Sequence, residues 1–451
     1  MSKKIEQLTE WRSYKIKQQP VWYNKELAIN VLSQIAKLPA LVFAGETRNL
    51  KNNLIDVEQG RTILLQCGDC SENFDYCHGP RIHNMLRIIF QMALIISFKT
   101  KKKVLKIGRI AGQYAKPRSN DYEIINGVKL PVYRGDIING YEPTLDSRKH
   151  DPERMLKAYF YSAATLNLIR AFTQGGYASL EYMLDWQRHF FSNSKIMYYY
   201  VDLVREIENN IRFIRSLGIN TNEKVSSLME FFISHEGLLL EYEEKLCRID
   251  TLTYDLYSTS AHMLWIGNRT REPEGAHAYF MSNINNPVGI KIGPGYDVNE
   301  INKLLCKLNP NNHRGKIVLI TRFGYDKIEK EIIPLIEMIK NDKLNLSIIC
   351  DPVHGNTETI NNIKIRRFEN IVKETELFFK ILTDYKLYPG GVHLEMTSDN
   401  VTECLGGLSG ISENDLNLNY TTYCDPRLNA DQAVEYAFKL AEIINETSNN
   451  L

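Results

Sequence analysis

The sequence of 451 residues has few cysteines, no excess of charge of either sign and no long apolar run. Eight cysteines are too few for a disulfide scaffold, and we expect them to be thiols in a reducing compartment. The 55 lysines and arginines are balanced by 54 aspartates and glutamates, unlike the cationic excess typical of nucleic-acid-binding proteins. No uninterrupted apolar run reaches the roughly 18 residues that would span a bilayer. We therefore expect neither a nucleic acid nor a membrane as a partner.

The N-terminal sequence also lacks targeting features. It has no apolar segment of the kind that a secretory signal requires. Glu6 and Glu10, together with the absence of a stretch rich in serine and arginine, argue against a transit peptide. We therefore expect a cytoplasmic protein. The 43% hydrophobic and 24% charged residues are typical of a globular chain rather than a disordered one.

Eight short apolar runs recur along the chain, and each ends in polar or charged residues. Strands that alternate with helical patterns predict a parallel sheet, and eight such units predict a closed (β/α)8 TIM barrel of the α/β class. A doubly wound open sheet is the alternative that periodicity alone leaves open. The runs are Thr62–Gln66, Val104–Gly108, Phe231–Ser234, His262–Gly267, Val288–Ile290, Lys316–Thr321, Leu346–Cys350 and Gly391–Leu394.

Helical spacing of apolar residues between most of these runs completes the barrel pattern. We predict that residues 61–451 form the catalytic barrel. Residues 1–60 precede the first run and are predicted to be an N-terminal extension, with a helix that Asn24 caps and Pro39 ends. The clearest predicted helices within the barrel are Pro80–Phe98, Val298–Leu308, Ile328–Ile339 and Phe368–Leu382.

One connection is longer than a barrel needs. More than 110 residues separate the second and third predicted strands, where a single helix would suffice. A strong helical pattern over Glu153–Phe172 is followed by two more, near Leu180–Phe191 and Val201–Leu217. We predict a helical insertion after the second strand, at about residues 174–220, and expect it to serve oligomer contacts or regulation.

Cationic side chains collect where the predicted strands end. Guanidinium groups match the geometry of phosphate and carboxylate groups, and lysine adds a point charge. In a closed barrel these residues would face one pocket, which suits a substrate with several negative charges. The segment after the second strand offers Arg109, Lys116, Arg118 and Ser119, and three further strands end at Arg269, Lys291 and Arg322.

A second set contains residue types that bind metal ions. Its members follow the first, seventh and eighth predicted strands and lie in the tail after them, and strands one, seven and eight are neighbours in a closed barrel. A mixture of sulfur, nitrogen and oxygen ligands suits a divalent transition metal with an open coordination position. The set consists of Cys70, His354, Glu395 and Asp425.

The pair Cys67-x-x-Cys70 has other interpretations, since this spacing also occurs in redox pairs and in zinc ribbons. No second C-x-x-C exists, and the motif ends a predicted strand instead of opening a helix. We therefore favour Cys70 as a metal ligand and Cys67 as incidental. Ser234-His235-Glu236 at another strand end resembles an acid/base pair, and support of neighbouring groups is an equally good interpretation.

Eight longer motifs are distributed along the chain. They are Gly68–Glu72, Gly108-Arg109 with Gln113–Ser119, Pro131–Asp136, Ser162–Asn167, Ser234–Gly237, Asp351–Thr357, Asn400–Cys404 and Cys424–Asn429. Taken together, these motifs resemble the class II, plant-like 3-deoxy-D-arabino-heptulosonate-7-phosphate (DAHP) synthases. The resemblance extends from about Trp11 to Leu440 and includes the helical insertion.

The resemblance implies an activity and its reactants. The family condenses phosphoenolpyruvate with erythrose 4-phosphate and water in an aldol-like reaction that gives DAHP and phosphate. This is the first step of the shikimate pathway to chorismate and the aromatic amino acids. The resemblance further implies a TIM barrel, a divalent metal ion (Mn²⁺, or alternatively Co²⁺), a homo-oligomer (dimer or tetramer), aromatic amino acids as effectors and a chorismate mutase as a candidate partner.

The same resemblance implies roles for individual residues. Arg109 and Lys291 would be catalytic, with Lys291 as a proton donor. Phosphoenolpyruvate would be held by Arg109, Asn268, Arg269, Lys291 and Arg322. Erythrose 4-phosphate would be held by Lys116, Pro117, Arg118 and Ser119, and the metal by Cys70, His354, Glu395 and Asp425.

The chain departs from the usual family pattern at three places. Asn268 stands where the family usually has glutamate, Cys67 replaces a glycine, and Met396–Asp399 varies a Thr-Gly-Glu stretch. None of these changes removes a predicted metal ligand or substrate cation. The competing interpretations are another metal-dependent barrel enzyme that acts on phosphorylated sugars, such as an aldolase, and a catalytically inert relative that only binds ligands. The intact ligand set argues against the inert relative.

Overall fold

The computed structural model describes residues 2–174, 194–217 and 230–448. Eight parallel strands close into a barrel in which each strand pairs with the next one along the chain and the last pairs with the first. Each strand coincides with one of the eight predicted runs, so the predicted (β/α)8 barrel is confirmed. The strands are β1 (Thr62–Gly68), β2 (Lys103–Arg109), β3 (Phe232–Glu236), β4 (Met263–Ile266), β5 (Val288–Ile292), β6 (Ile317–Thr321), β7 (Ser347–Cys350) and β8 (Gly391–Glu395).

The barrel strands are continuous apolar runs because both of their faces are covered. Outward-facing side chains pack against the surrounding helices in one large apolar cluster. Inward-facing side chains such as Leu64, Leu105, Trp265 and Ile349 fill the barrel interior in a second cluster. This double burial is the general property of parallel barrel strands, and it explains why the runs do not alternate with polar residues.

Helices connect most of the strands and cover the barrel. The predicted helix Ile328–Ile339 is two helices, because Pro334 lacks the N–H group that would continue the hydrogen-bond ladder. Among the described residues, the α-helices that follow β1 are Gly79–Thr100, Glu153–Gln174, Ser194–Ser216, Leu240–Lys245, Ala276–Ser282, Val298–Leu308, Ile328–Glu331, Ile333–Asn341, Phe368–Asp384 and Ala430–Ser448.

Helix Gly79–Thr100 is long and apolar enough to span a membrane by composition, and it is the one described helix of this kind. In the structure 61% of its apolar window is buried inside the protein. Its buried residues include Leu86, Ile89, Phe90 and Met92, which belong to the large apolar cluster around the barrel. The helix therefore has the burial of a core helix in a folded domain.

The segment before β1 contains the helices Ser2–Thr9, Lys25–Lys37 and Ala44–Glu58. Asn24 caps the second helix as predicted, since its side chain accepts a hydrogen bond of 3.0 Å from the Leu27 backbone N–H. No pattern predicted the third helix, whose residues Leu50, Leu54 and Val57 join the inward-facing cluster of the barrel. Helix Ala44–Glu58 thus completes the apolar core of the barrel. The predicted domain boundary at residue 60 stays a prediction.

The long connection between β2 and β3 begins with a hairpin of strands Tyr122–Ile125 and Val128–Pro131. Helices Glu153–Gln174 and Ser194–Ser216 follow, close to the predicted helical patterns. The pattern near Leu180–Phe191 lies outside the described residues. The extent of an insertion at about 174–220 therefore stays a prediction.

Three further short strands lie after the barrel strands β7 and β8. Thr357–Ile360 and Ile363–Arg367 form an antiparallel hairpin, and Cys404–Leu405 pairs in parallel with its second strand. We call strands Thr357–Ile360 and Ile363–Arg367 the β7 hairpin. It stands at the end of the barrel where the carboxyl ends of the strands meet, which is where TIM barrels carry their active sites.

The helix Ala44–Glu58 generates a stability prediction. Leu54 is fully buried against the barrel interior, so Leu54→Ala should leave a cavity and cost about 2–5 kcal/mol of unfolding free energy. The urea midpoint should therefore fall. Asn52 lies on the exposed side of the same helix, and Asn52→Ala is the matched control. Equal midpoints for the two variants would show that the helix does not belong to the barrel core.

Candidate active site

A cavity of about 400 Å³ opens at the carboxyl ends of the barrel strands. It is lined by both predicted groups of substrate residues and by two of the four predicted metal ligands, His354 and Asp425. The other two ligands, Cys70 and Glu395, are buried beneath it. The substrate residues in the wall are Arg109, Lys116, Pro117, Arg118, Ser119, Asn268, Arg269, Lys291 and Arg322.

Glu395 ends β8 and is the negative centre of the site. Its Oε1 atom lies 3.0 Å from Arg109 Nη2, 3.4 Å from Lys116 Nζ and 2.9 Å from His354 Nε2. Its Oε2 atom accepts a hydrogen bond of 2.9 Å from Arg366 Nη1. Complete burial would raise the pKa of Glu395, and the surrounding cationic groups instead hold that pKa well below its usual value.

Three predicted metal ligands converge in the structure. Ligand atoms of Cys70, Glu395 and Asp425 all lie within 4.8 Å of one another. The ammonium group of Lys116 lies among them, with Nζ 2.7 Å from Cys70 Sγ and 3.0 Å from Asp425 Oδ2. This ammonium group occupies the place of a cation between a thiol and two carboxylates. The donor set and its stand-in cation fit a divalent transition metal.

His354, the fourth predicted ligand, adjoins this group and is held by a carboxylate. Its Nε2 atom faces Glu395, and its Nδ1 atom lies 2.7 Å from Asp351 Oδ2. Donation of the Nδ1 proton to Asp351 directs the lone pair of Nε2 towards the ligand set, as is common for imidazole ligands of metal ions. Asp351 is fully buried, which opposes ionisation, but His354 and Lys291 hold the pKa of Asp351 well below its usual value.

Lys291 lies in β5, at the inner end of the cavity. Its Nζ atom donates a hydrogen bond of 3.0 Å to Asp351 Oδ2. Burial lowers the pKa of Lys291, although the charge of Asp351 opposes this effect. The ring of Trp265 lies below both cations of the inner wall, 5.3 Å from Arg109 Cζ and 5.6 Å from Lys291 Nζ. The aromatic face favours cations at both positions.

The outer wall of the cavity carries the predicted sugar-phosphate residues. Arg118 donates a hydrogen bond of 3.0 Å from Nη1 to the Tyr133 carbonyl. Ser119 Oγ accepts one of 2.7 Å from Arg269 Nη2, which joins the loop after β2 to the turn after β4. Asn268 connects the same turn to the next strand, since its Oδ1 atom accepts a hydrogen bond of 3.2 Å from the Gly293 N–H group.

Arg366 and Lys364 are site residues that the sequence analysis missed. Both come from the β7 hairpin and line the cavity. Arg366 is fully buried and donates to Glu395 and to the Pro426 carbonyl, and Lys364 Nζ donates to Asp425 Oδ1 at 2.8 Å. These residues lie in a hairpin that follows a barrel strand, and not at the end of the strand itself. The available signal was the pair of arginines that follows the alternating isoleucines Ile363 and Ile365.

Cys67 and the His235-Glu236 pair have different surroundings. Cys67 lies fully buried in the apolar cluster around the barrel, and burial raises the pKa of its thiol. His235 Nε2 pairs with Glu243 Oε1 at 2.8 Å. Glu236 lines the cavity, and its Oε1 atom has no hydrogen-bond partner among the described residues. Burial raises the pKa of Glu236, and the charge of Lys291 is the largest opposing influence on that pKa.

Buried carboxylates hold the loops that carry these side chains. Glu72 accepts hydrogen bonds from the backbone N–H groups of Ala111, Gly112 and Gln113, at 2.9, 2.9 and 2.7 Å. Glu374 accepts two from the loop after Arg322, at 3.0 and 2.9 Å. Burial raises the pKa of Glu72 to about 7 and that of Glu374 to about 8, although the backbone donors oppose this.

Known proteins of similar sequence match this chain over nearly its whole length. Three proteins named phospho-2-dehydro-3-deoxyheptonate aldolase align with it. The protein from Neurospora crassa is 43% identical over 449 residues, which cover 96% of this chain and 93% of the relative. The protein from Streptomyces coelicolor is 42% identical and covers 97% of both chains. The one from Mycolicibacterium smegmatis is 40% identical, covering 95% of this chain and 92% of its own.

The profile of one protein family covers the same length. It matches residues 6–441, which include the barrel, the β7 hairpin and every residue discussed above as part of the cavity. Match length and identity are far above what a shared barrel architecture alone would give. The chain belongs to the class-II DAHP synthetase family.

Proposed function

We propose that this protein is a DAHP synthase, a transferase that condenses phosphoenolpyruvate with erythrose 4-phosphate and water to give DAHP and phosphate. The names of its relatives support this activity. The observation that carries the proposal is the single cavity lined by both groups of cations above the Cys70, Glu395 and Asp425 group. Two phosphates and a carboxylate must come together during the reaction, and their mutual repulsion requires such a concentration of positive charge.

The inner cations would hold phosphoenolpyruvate. Arg109 from β2, Lys291 from β5 and Arg322 after β6 line one cavity, and Arg269 and Asn268 extend the set outward. The Nε atoms of Arg109 and Arg322 are buried and have no hydrogen-bond partner among the described residues, so they remain available to an anion. Paired N–H groups of guanidinium match both carboxylate and phosphate oxygens.

The outer wall would hold erythrose 4-phosphate. Arg118 and Ser119 offer a guanidinium group and a hydroxyl at the wide side of the cavity, next to Pro117. Lys116 belongs to the same loop, but its ammonium group contacts Cys70, Glu395 and Asp425. Lys116 thus connects the sugar-phosphate residues with the ligand set, which suits an aldehyde bound between them.

Cys70, His354, Glu395 and Asp425 would hold the divalent metal ion, for which Mn²⁺ is our first expectation and Co²⁺ the alternative. A metal bound there would supply Lewis-acid polarisation of the aldehyde. Arg366 fixes Oε2 of Glu395 and leaves Oε1 facing the ligand set. Asp351 fixes the ring of His354 in the same way.

The chain's own residues would guide the bond changes. C3 of phosphoenolpyruvate attacks the aldehyde carbon, water adds to C2, and phosphate leaves by cleavage of the C–O bond. Lys291 is buried beside Asp351 with a lowered pKa, so its Nζ atom is suited to donate a proton. Arg109 balances negative charge on the substrate. The unpartnered Oε1 of Glu236 is an acceptor in the same cavity for a proton of the attacking water.

Assembly and control extend the proposal. We propose a cytoplasmic homo-oligomer, dimer or tetramer, inhibited by aromatic amino acids and able to bind a chorismate mutase. All eight cysteines are free thiols in the structure, which suits a reducing compartment. Helix Ser194–Ser216 exposes Tyr198, Tyr199 and Phe213, which supports a subunit contact in this region.

The activity and its metal requirement are tested together by phosphate release from the two substrates. Purified protein should release phosphate only when phosphoenolpyruvate and erythrose 4-phosphate are both present. EDTA should abolish this release, and Mn²⁺ or Co²⁺ should restore it. Release from the aldose phosphate without phosphoenolpyruvate would instead indicate a different barrel enzyme. Full activity after exhaustive metal removal would exclude the metal.

The ligand assignment predicts different behaviour for two nearby cysteines. Cys70→Ser should lose most bound metal and most activity, because a hydroxyl is a much weaker ligand for a soft divalent ion than a thiolate. Cys67→Ser is the matched control, because Cys67 is buried in the apolar cluster around the barrel. This variant should keep both its bound metal and its activity. Metal content after dialysis and the rate of phosphate release measure the outcome. A metal-free Cys67→Ser variant would contradict the assignment.

Binding of phosphoenolpyruvate predicts a large effect at Arg322. Loss of a charge-assisted partner of a buried anion costs about 2–5 kcal/mol, so Arg322→Ala should lower kcat/KM for phosphoenolpyruvate roughly thirty- to several-thousand-fold. Arg322→Lys should also be impaired, because a point charge cannot reproduce a planar fork. Arg314→Ala removes a half-exposed guanidinium near the opposite end of β6 and is the control. Normal kinetics of Arg322→Ala would refute the assignment.

A further inference from the structure

Residues 14–22, which we call the strap, cross the edge of the cavity and are anchored at both ends. Trp11 precedes the strap, and its indole N–H donates to Glu244 Oε2 at 2.8 Å. Trp22 ends the strap, and its indole N–H donates to Glu241 Oε2 at 3.0 Å. Both glutamates belong to helix Leu240–Lys245, which follows β3. The chain between the two tryptophans is therefore held against the barrel.

Between these anchors the strap follows the outer wall of the cavity. The carbonyl of Lys15 accepts a hydrogen bond of 3.0 Å from the Ala276 N–H group, and the Lys17 ammonium group pairs with Glu272. Lys17 and Gln18 line a cleft together with Arg118, Ser119 and Arg269. The strap thus contacts the residues that would hold the sugar phosphate. These residues lie about a hundred positions later in the chain than the strap.

Gln18 makes a paired contact with the backbone of Arg118. Its Nε2 atom donates to the Arg118 carbonyl at 3.0 Å, and its Oε1 atom accepts from the Arg118 N–H group at 2.8 Å. Among the described residues these are the only hydrogen bonds of the Arg118 backbone. The Gln18 backbone has a φ of +62°, in the left-handed region that glutamine rarely adopts. The fold therefore maintains an unfavourable backbone conformation where this amide meets the loop.

We propose that Gln18 is a positioning residue for the sugar-phosphate end of the cavity. Its amide group holds the backbone N–H and carbonyl groups of Arg118 in place. In the same loop, the Lys116 N–H group donates a hydrogen bond of 2.8 Å to the Arg134 carbonyl. The Arg118 guanidinium group and the Ser119 hydroxyl are thereby held at defined places before the substrate arrives. Preorganisation of this kind lowers the ordering cost of binding. The inference rests on the proposed function, because it assigns the residues at this end to erythrose 4-phosphate.

The test compares two adjacent glutamines. Gln18→Met keeps the length of the side chain and loses both hydrogen bonds to Arg118, together with the 3.4 Å hydrogen bond that Oε1 accepts from Arg134 Nη1. Gln18→Gly loses the same hydrogen bonds, and glycine adopts the positive φ without strain, so this second variant tests the proposal if Gln18→Met is destabilised. Gln19→Met is the matched control, since Gln19 donates to the carbonyls of Lys17 and Leu238 and makes no hydrogen bond to the loop among the described residues.

Steady-state kinetics should separate the two substrates. In both Gln18 variants the KM for erythrose 4-phosphate should rise roughly tenfold, because the Arg118 backbone loses its two hydrogen bonds to Gln18. The kcat and the KM for phosphoenolpyruvate should stay within about twofold of wild type, and Gln19→Met should match wild type throughout. Equal increases of both KM values, or the same change in Gln19→Met, would overturn the inference in favour of a merely structural strap.

Hydrogen exchange supplies a readout that does not depend on activity. The Arg118 amide should exchange faster in the Gln18 variants than in wild type and Gln19→Met, because its acceptor is lost. Unchanged exchange would overturn the positioning role. A wild-type protein that releases no phosphate from the two substrates would overturn the proposed function. An active wild type whose KM for erythrose 4-phosphate is unaffected in both Gln18 variants would overturn this inference alone.

Discussion

Glu395 places a fully buried negative charge at the end of β8, and a lone charge there would be prohibitively costly. The structure compensates it with Arg109 from β2, Lys116 from the following loop and Arg366 from the β7 hairpin. Each of these elements must be correctly placed for the carboxylate to stay ionised. The charge on Glu395 therefore brings side chains from the barrel, the loop after β2 and the β7 hairpin together in one site.

The same principle fixes the loops around the cavity. Glu72 accepts hydrogen bonds from three backbone N–H groups after β2, and Glu374 accepts two after β6. Glu403 accepts hydrogen bonds from the N–H groups of Thr421, Thr422 and Arg427, near Asp425. Loops that carry functional groups are usually the less ordered part of a barrel. Here buried carboxylates provide the backbone acceptors that a regular element would otherwise supply.

The segment before the first strand contributes at both ends of the barrel. Helix Ala44–Glu58 places Leu54 and its neighbours against the barrel interior, and the strap brings Gln18 to the loop at the cavity. One end of the segment thus supports the apolar core and the other borders the polar site. The segment therefore packs against the barrel at both ends, while the division at residue 60 stays a prediction.

Periodicity and composition determined the barrel. The eight strands lie on eight apolar runs because strands buried on both faces must be apolar along their whole length, and this property is local. The residues at the strand ends were likewise identifiable, since all parallel strands present their carboxyl ends at one rim. Their convergence in one cavity followed, while their roles came from the family resemblance and stay predictions.

Tertiary structure alone decided the remaining features. The position of the Lys116 ammonium group among Cys70, Glu395 and Asp425, the contact of Arg366 with Glu395 and the pairing of Gln18 with Arg118 join residues far apart in the chain. Helix Ala44–Glu58 has an apolar face, but nothing in the sequence indicates that this face packs against the barrel interior. Local patterns report what one segment buries, whereas these contacts depend on which distant segment supplies the partner.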